Sequence, residues 1–313
     1  MPEPQVTIVV PVHNGERYLS QALESIAAQT FDAWETVVVD DASSDGSLEL
    51  ATAFARGHPG RVQVIPLTEN LGVAGARNAG LRAAARGRLV VLLDQDDYLL
   101  DHYLDTTVRL FDAGQAAGRR MGIVVPDGFI QTDGGIQHTS SEYYWWCDQL
   151  DYERMLECNY ITGRATFSRA AFDEVGGFDA ACLTADDYDM WLRLLEAGYE
   201  VVTTREPLYV YRIHADAQTQ DKLKVAHGAL AAFDAARRRG TLSPRQGRIV
   251  QRRVRHYRAV RDRAVVARAL AERRFAAAAR VALTGAPSAA MAVLEHPRWW
   301  PRRRRRVLGS SAS

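Results

Sequence analysis

Cysteine is scarce in this 313-residue chain: Cys147, Cys158 and Cys182 are the only three, and none forms a CxxC pair. An odd count cannot pair fully within one chain, so neither a disulfide framework nor a cysteine zinc site is supported and reduced thiols are expected. Long apolar runs are missing too. The longest purely aliphatic stretch, Leu89 to Leu93, has five residues, against the ~20 that a helix needs to cross a bilayer. The glycine-rich run from Gly72 through Gly75, Arg77 and Gly80 is not GxGxxG, and GxxxxGK[ST] occurs nowhere, which weakens dehydrogenase and P-loop readings. The chain starts Met1-Pro2-Glu3-Pro4 and passes directly into a strand-like segment. Without the basic and then apolar regions of a secretory leader, a cytoplasmic location is expected.

What is present is an ordinary folded composition, 47% hydrophobic and 25% charged, which excludes disordered, collagen-like and coiled-coil classes. The net charge of +1 conceals a division. Residues 1–221 hold 16 Lys and Arg against 34 Asp and Glu, whereas residues 222–313 hold 23 against 4. An acidic body suits a divalent cation, and a basic end suits phosphate-bearing partners such as anionic lipid or nucleic acid. Neutralisation of one half by the other is the bland alternative.

Hydrophobic patterning alternates strand and helix. Gln5 to Val12 is a β-branched strand, followed by a turn at His13-Asn14-Gly15 and a helix with Leu19, Ala22, Leu23 and Ile26 on one face. Glu35 to Val39 is a second strand leading to Asp40-Asp41, and Ser44 or Asp45 is placed to cap the next helix, which runs to about Arg56. Arg61 to Pro66 is a third strand, and Gly72 opens a helix through Arg77 and Leu81. A fourth strand, Arg88 to Leu93, ends in Asp94-Gln95-Asp96-Asp97. Such alternation predicts βαβ units and a mainly parallel, Rossmann-like α/β sheet flanked by helices. Ligands in these folds lie beyond the carboxyl ends of the strands, where three polar clusters fall: His13-Asn14-Gly15, Asp40-Asp41 and the Asp94 to Asp97 run. Later strands are expected at Ile123 to Pro126, Val201-Val202 and Tyr209 to Ile213, with a helix over Asp187 to Ala197.

Asp94, Asp96 and Asp97 lie close enough to repel one another, and such clustering is expected where a cation offsets the repulsion. Mg²⁺ and Mn²⁺ prefer oxygen donors and commonly bridge carboxylates to phosphates, so a diphosphate is the natural companion. Asp40 and Asp41 are placed to accept from a ring N–H and a ribose hydroxyl; taken alone, Asp-Asp-Ala-Ser is equally a helix cap.

The strings VTIVVPVHNGERYLSQALESIAAQT, VVVDDASSDGS, ENLGVAGARNAGL, VVLLDQDDYL, GGFDAACLTADDYDMWLRLLEAGY and YVYRIHADAQT, in this order, resemble the inverting nucleotide-sugar glycosyltransferases of family 2, which have the GT-A fold. The resemblance covers roughly residues 5 to 220. It implies a nucleotide pocket lined by Pro11, Val12 and Glu16, base reading by Asp40 or Asp41, and help from Arg77 in holding the nucleotide. Asp94 and Asp96 match the DxD motif, with Asp96 as metal ligand for Mn²⁺ or Mg²⁺ and Asp94 nearer the ribose. His214 matches a histidine that completes the metal or diphosphate site in many members. The Asp186-Asp187 pair matches the Glu-Asp pair that holds the catalytic base, so Asp187 is the expected base and Asp186 replaces the usual glutamate. Inversion requires a carboxylate opposite the leaving diphosphate, within reach of the acceptor hydroxyl. Asp189 and Trp191 are read as packing residues. Tyr143, Tyr144, Trp145 and Trp146 stand where an acceptor-binding loop is expected, and aromatic faces suit a sugar or lipid; such clusters also serve packing alone.

These readings divide the chain into a GT-A catalytic domain over 1–221, with a nucleotide-sugar half to about residue 120 and an acceptor half beyond it, and an Arg/Ala-rich helical extension over 222–313. In the extension Ile249, Val250, Val254, Tyr257, Val260 and Val265 keep an apolar stripe between arginines, and Trp299-Trp300-Pro301 precedes five arginines, Arg302 to Arg306. That pattern fits peripheral attachment to an anionic membrane surface at its inner face. A solvated appendage or an oligomer contact fits as well. The expected activity is metal-assisted transfer of a sugar from a nucleoside-diphosphate sugar, UDP-linked, to a saccharide, lipid-linked or small-molecule hydroxyl. The alternatives are a nucleotidyltransferase, which would release pyrophosphate, and a non-enzymatic nucleic-acid-binding protein acting through its arginines.

Overall fold

The computed structural model describes residues 3–83, 86–139, 141, 147–161, 163–215, 217–274 and 281. The aromatic segment Tyr143 to Trp146 and the terminal Trp299, Trp300 and Arg302 to Arg306 lie outside the described residues.

Strands β1 (Val6–Val12), β2 (Trp34–Asp40), β3 (Val62–Pro66) and β4 (Leu89–Leu92) alternate with helices α1 (Glu16–Ala27), α2 (Ser47–Gly57) and α3 (Gly72–Ala83). Successive side chains of β1 point to opposite faces of the sheet: Val9 joins a core with Leu81 of α3, while Ile8 and Val10 join one with Leu19, Leu23 and Ile26 of α1. Both faces are therefore covered, which is why the strand is apolar on both faces apart from Thr7, whose hydroxyl donates to Glu35 at 2.7 Å. At the start of α2 the expected side-chain cap is absent, and Gly46 occupies the N-cap position. Asp45 instead accepts from the Ser47 N–H and from the Glu16 N–H, each at 3.1 Å.

The chain continues through β5 (Tyr98–Leu99), α4 (Tyr103–Ala116), β6 (Met121–Thr132), β7 (Gly135–Thr139), α5 (Tyr152–Glu157), β8 (Thr166–Ser168) and α6 (Arg169–Val175). A 3-10 turn (Ala180–Ala185) leads into α7 (Asp186–Glu196), then β9 (Glu200–Arg212), α8 (Lys222–Arg239) and α9 (Pro244–Ala271). All strands form one sheet in the order β3-β2-β1-β4-β8-β6-β9-β5, with β7 on β6. The pairings from β3 to β4 are parallel, as is β6 with β9, and β5, β7 and β8 join antiparallel. The two short strands expected near Val201 and Tyr209 are one continuous strand. Its register against β6 shifts where Asp127 faces Pro207, because proline cannot donate to the ladder.

Helices α8 and α9 add to the core behind α7. Ala232, Phe233, Ile249, Val250 and Val254 share a cluster with Tyr188 and Trp191, and the Phe233 and Tyr188 rings meet edge-on at 5.8 Å. Gly228 permits this approach: a Cβ there would stand 2.3 Å from the Cys182 carbonyl oxygen.

Candidate active site

The loop after β4 is held from four directions. Asp94 accepts from Arg77 of α3 at 2.7 Å and from Arg164, just before β8, at 2.8 Å. Arg77 also donates to Asp186 at 2.8 Å, with both side chains at most 5% exposed. One buried guanidinium therefore joins the end of β4 to the first turn of α7. Arg164 further pairs with the fully buried Asp97 and stacks over Tyr211, 4.5 Å from the ring centroid.

Beyond the sheet end, Arg212 closes the loop from the β9 side. Its N–H donates to Asp97 at 2.9 Å and its guanidinium to the Asp96 carbonyl at 2.8 Å, while the head packs over Tyr18 and Tyr98. Gln95 ties the same loop to β1, accepting from the His13 N–H at 2.7 Å and donating to the His13 carbonyl at 3.1 Å. Gly15 leaves the space this amide occupies, since a Cβ there would lie 2.5 Å from it.

Asp187 follows Asp186 on α7 and is half-buried. One carboxylate oxygen accepts from the Tyr188 N–H at 2.6 Å, and the other faces Gly163, whose missing Cβ would sit 3.2 Å away. Burial, reinforced by the neighbouring Asp186 charge, pushes the Asp187 carboxyl up to about 7, with Arg77 pulling the other way. Burial likewise pushes the Asp97 carboxyl up, opposed first by Arg164. Two guanidiniums, Arg77 and Arg164, stand among Asp94, Asp97, Asp186 and Asp187, and this excess of carboxyls adds to the effect of burial.

Asp96 lies on the other side of this network, 2.8 Å from His214 Nε2, and His214 packs on Tyr18 with ring centroids 5.0 Å apart. The His214 Nδ1 is buried without a partner among the described residues. An oxygen and a nitrogen donor at that separation fit adjacent positions around an ion with bonds of ~2.1 Å, and the excess of carboxylates suits a divalent cation. Asp96 and His214 are therefore the two donors that would hold such an ion among the described residues.

The nucleotide-side candidates sit at the ends of β1 and β2. The Val12 carbonyl, next to Pro11, accepts from the Asp41 N–H at 2.7 Å. Asp40 is 2% exposed; its Oδ2 accepts from the Ser43 N–H at 3.2 Å, and its Oδ1 has no partner among the described residues. Asp41 accepts from the Leu71 N–H at 2.7 Å. Glu16 is committed elsewhere: its carboxylate accepts from the Gly46 N–H at 3.1 Å, bridging the starts of α1 and α2. Asp186 is similarly committed to Arg77. Asp189 turns away from the network to Arg193 at 2.8 Å and Arg239 at 3.4 Å, and Trp191 is wholly buried against Phe167. Tyr144, Trp145 and Trp146 are outside the described residues.

Three residues of the network were not expected from sequence. Arg212 is adjacent to a recognised motif, in Tyr-Arg-Ile-His, and Gln95 lies inside one. Arg164 stands alone between Gly163 and Ala165 and carries no signal.

The family model described as "Glycosyl transferase family 2" matches residues 7–176, which stops short of Asp186, Asp187 and His214. The succinoglycan biosynthesis protein ExoO of Rhizobium meliloti (strain 1021) is 30% identical over 292 residues, covering 90% of this chain and 81% of that protein. The Escherichia coli UDP-Glc:alpha-D-GlcNAc-diphosphoundecaprenol beta-1,3-glucosyltransferase WfaP is 24% identical over 220 residues, 70% of this chain and 81% of its own length. Among solved structures, the mannosyltransferase PcManGT from Pyrobaculum calidifontis, in complex with GDP-Man and Mn²⁺, aligns with a TM-score of 0.65 at 23% identity over 95% of this chain and 85% of that one. S. aureus TarS in complex with UDP-GlcNAc aligns at 0.60 and 17% identity over 83% and 71%. These two similarities establish the GT-A fold.

Proposed function

This chain belongs to glycosyltransferase family 2, and on that premise we propose that it moves a sugar from a nucleoside-diphosphate sugar, UDP-linked, to an acceptor hydroxyl with inversion. Asp187 takes the hydroxyl proton as the acceptor oxygen bonds to the anomeric carbon. The bond from that carbon to the diphosphate oxygen breaks on the opposite face, and its electron pair leaves with the nucleoside diphosphate. A base with its pKa near the working pH is suited to this transfer, and Asp187 lies in that range. Asp96 and His214 would hold Mn²⁺ or Mg²⁺, which supplies positive charge to the departing diphosphate. Asp94 and Arg77 border the ribose and phosphates, and Asp40 or Asp41 reads the base.

The observation that supports this reading most directly is the pair of hydrogen bonds that Arg77 donates, one to Asp94 in the DxD loop and one to Asp186 beside the proposed base. It ties the loop that carries the proposed metal ligand to the residue beside the proposed base. The ligands of TarS and PcManGT support a nucleotide-sugar donor and a divalent ion, and the acceptor named for WfaP supports a lipid-linked acceptor. In this reading residues 1–221 form the catalytic unit and 222–313 an extension that buttresses α7, in a cytoplasmic protein whose basic end meets an anionic membrane. The test is product identity. Incubation with a panel of UDP- and GDP-sugars and Mn²⁺ is expected to release a nucleoside diphosphate; release of pyrophosphate or of a nucleoside monophosphate contradicts the proposal.

A further inference from the structure

Helix α9 has two dissimilar sides. Ile249, Val250 and Val254 are buried in the core cluster that holds Phe233 of α8 and Met155 and Leu156 of α5, whereas Arg245, Arg248, Arg252, Arg255 and Arg258 are exposed at spacings of three and four, which places them on a single face. Arg245 and Arg252 reach Glu153 and Glu157 of α5 at 2.7 and 3.4 Å. Arg248, Arg255 and Arg258 have no carboxylate partner among the described residues. Beside this face, α8 and α9 line a groove of about 230 Å³ with Leu230 and Val254 in its lining and Arg237, Arg258 and Arg261 around them; its one acid, Asp234, is paired with Arg238, and Arg261 pairs with Asp262 at 2.8 Å, which leaves Arg237 and Arg258 as the cations of its rim without a carboxylate partner among the described residues. A cationic rim around apolar side chains matches a phosphate head with an acyl chain attached.

We propose that the arginine face of α9 and the groove beside it dock the protein on an anionic phospholipid membrane. This rests on the membrane contact read above and names the face that makes it. Charge complementarity supports lipid as the occupant: the acidic body, 16 basic against 34 acidic residues over 1–221, is repelled by the same surface, so the molecule is oriented with α9 inward. The apolar lining of the groove favours lipid over nucleic acid, which would meet only the charges. The sequence that follows α9 adds Trp299, Trp300 and Arg302 to Arg306, residue types favoured at the lipid interface. No described helix is long and apolar enough to cross a membrane.

The experiment is flotation of the full chain with vesicles of phosphatidylcholine alone and with a phosphatidylglycerol admixture. Binding is expected only to the anionic vesicles, and R248E/R255E/R258E is expected to weaken it roughly tenfold or more, since each basic residue near such a surface contributes measurably. UDP-induced thermal stabilisation serves as the folding control and is expected to be unchanged in that variant. Failure of the unaltered chain to bind, or binding to duplex DNA without binding to vesicles, overturns the membrane reading altogether. Binding that persists in R248E/R255E/R258E yet disappears when Arg302 to Arg306 are all replaced by glutamine overturns the α9 assignment alone.

Discussion

Arg77 and Asp186 pair at 2.8 Å with side chains 5% and 3% exposed, and this contact fixes the first turn of α7 relative to the acidic loop after β4. Removing one partner of a buried ion pair leaves the other charge uncompensated, a loss of about 3–5 kcal/mol. Arg77→Met is therefore expected to lower unfolding free energy by about that amount in urea titration, because Asp94, Asp186 and Asp187 are left mutually repelling. A change within the error of the titration would mean that Arg77 is not the junction.

The pH dependence follows from Asp187. Its carboxyl, pushed up to about 7 by burial, must be ionised to accept a proton. The log of kcat/KM is expected to fall as pH drops below about 7 and to level off above it. Asp186→Asn removes a like charge and leaves Arg77 more positive toward Asp187; both effects lower the Asp187 pKa. The acid limb of the profile is thus expected to move to lower pH in that variant. A limb that stays in place or moves upward contradicts the assignment.

Asp96→Asn and His214→Ala are each expected to abolish the Mn²⁺-dependent part of the UDP-induced rise in melting temperature while leaving part of the metal-independent rise. The pairing of the two side chains at 2.8 Å makes them a unit, so the double variant should be little worse than either single one. Additive losses would indicate separate roles.

Phe233→Ala tests the support given to α7 by α8. The ring is wholly buried and meets Tyr188, the residue after Asp187, at 5.8 Å. Truncation of a buried phenylalanine costs about 3–5 kcal/mol, readable as a lower midpoint in guanidinium titration. A near-neutral result would mean that α8 is not docked on α7 in solution.

Much of this architecture is legible in the sequence. The βαβ rhythm from Val6 to Leu92 rests on long, strongly periodic segments, and the three polar clusters at strand ends follow from it. β8 has three residues and β5 two, too short for a period to register, and β9 is interrupted in sequence by Thr203 to Pro207. The site is legible as motifs but not as a network. The Asp96-Asp97 and Asp186-Asp187 pairs lie far apart along the chain, and what joins them, Arg77 and Arg164, depends on side-chain reach that spacing does not encode. Glu16 illustrates the converse, since its motif position suggests a ligand contact while its carboxylate serves the Gly46 N–H.

The most direct measurement is steady-state transfer by Asp187→Asn alongside calorimetric titration with UDP and Mn²⁺. The substitution keeps the side-chain shape and removes the proton acceptor. Turnover is expected to fall by about a thousandfold or more, within the scale of general-base contributions, with UDP affinity within a few-fold of the unaltered protein. Turnover near the original rate, with binding intact, would contradict Asp187 as the base and with it the account of this cleft.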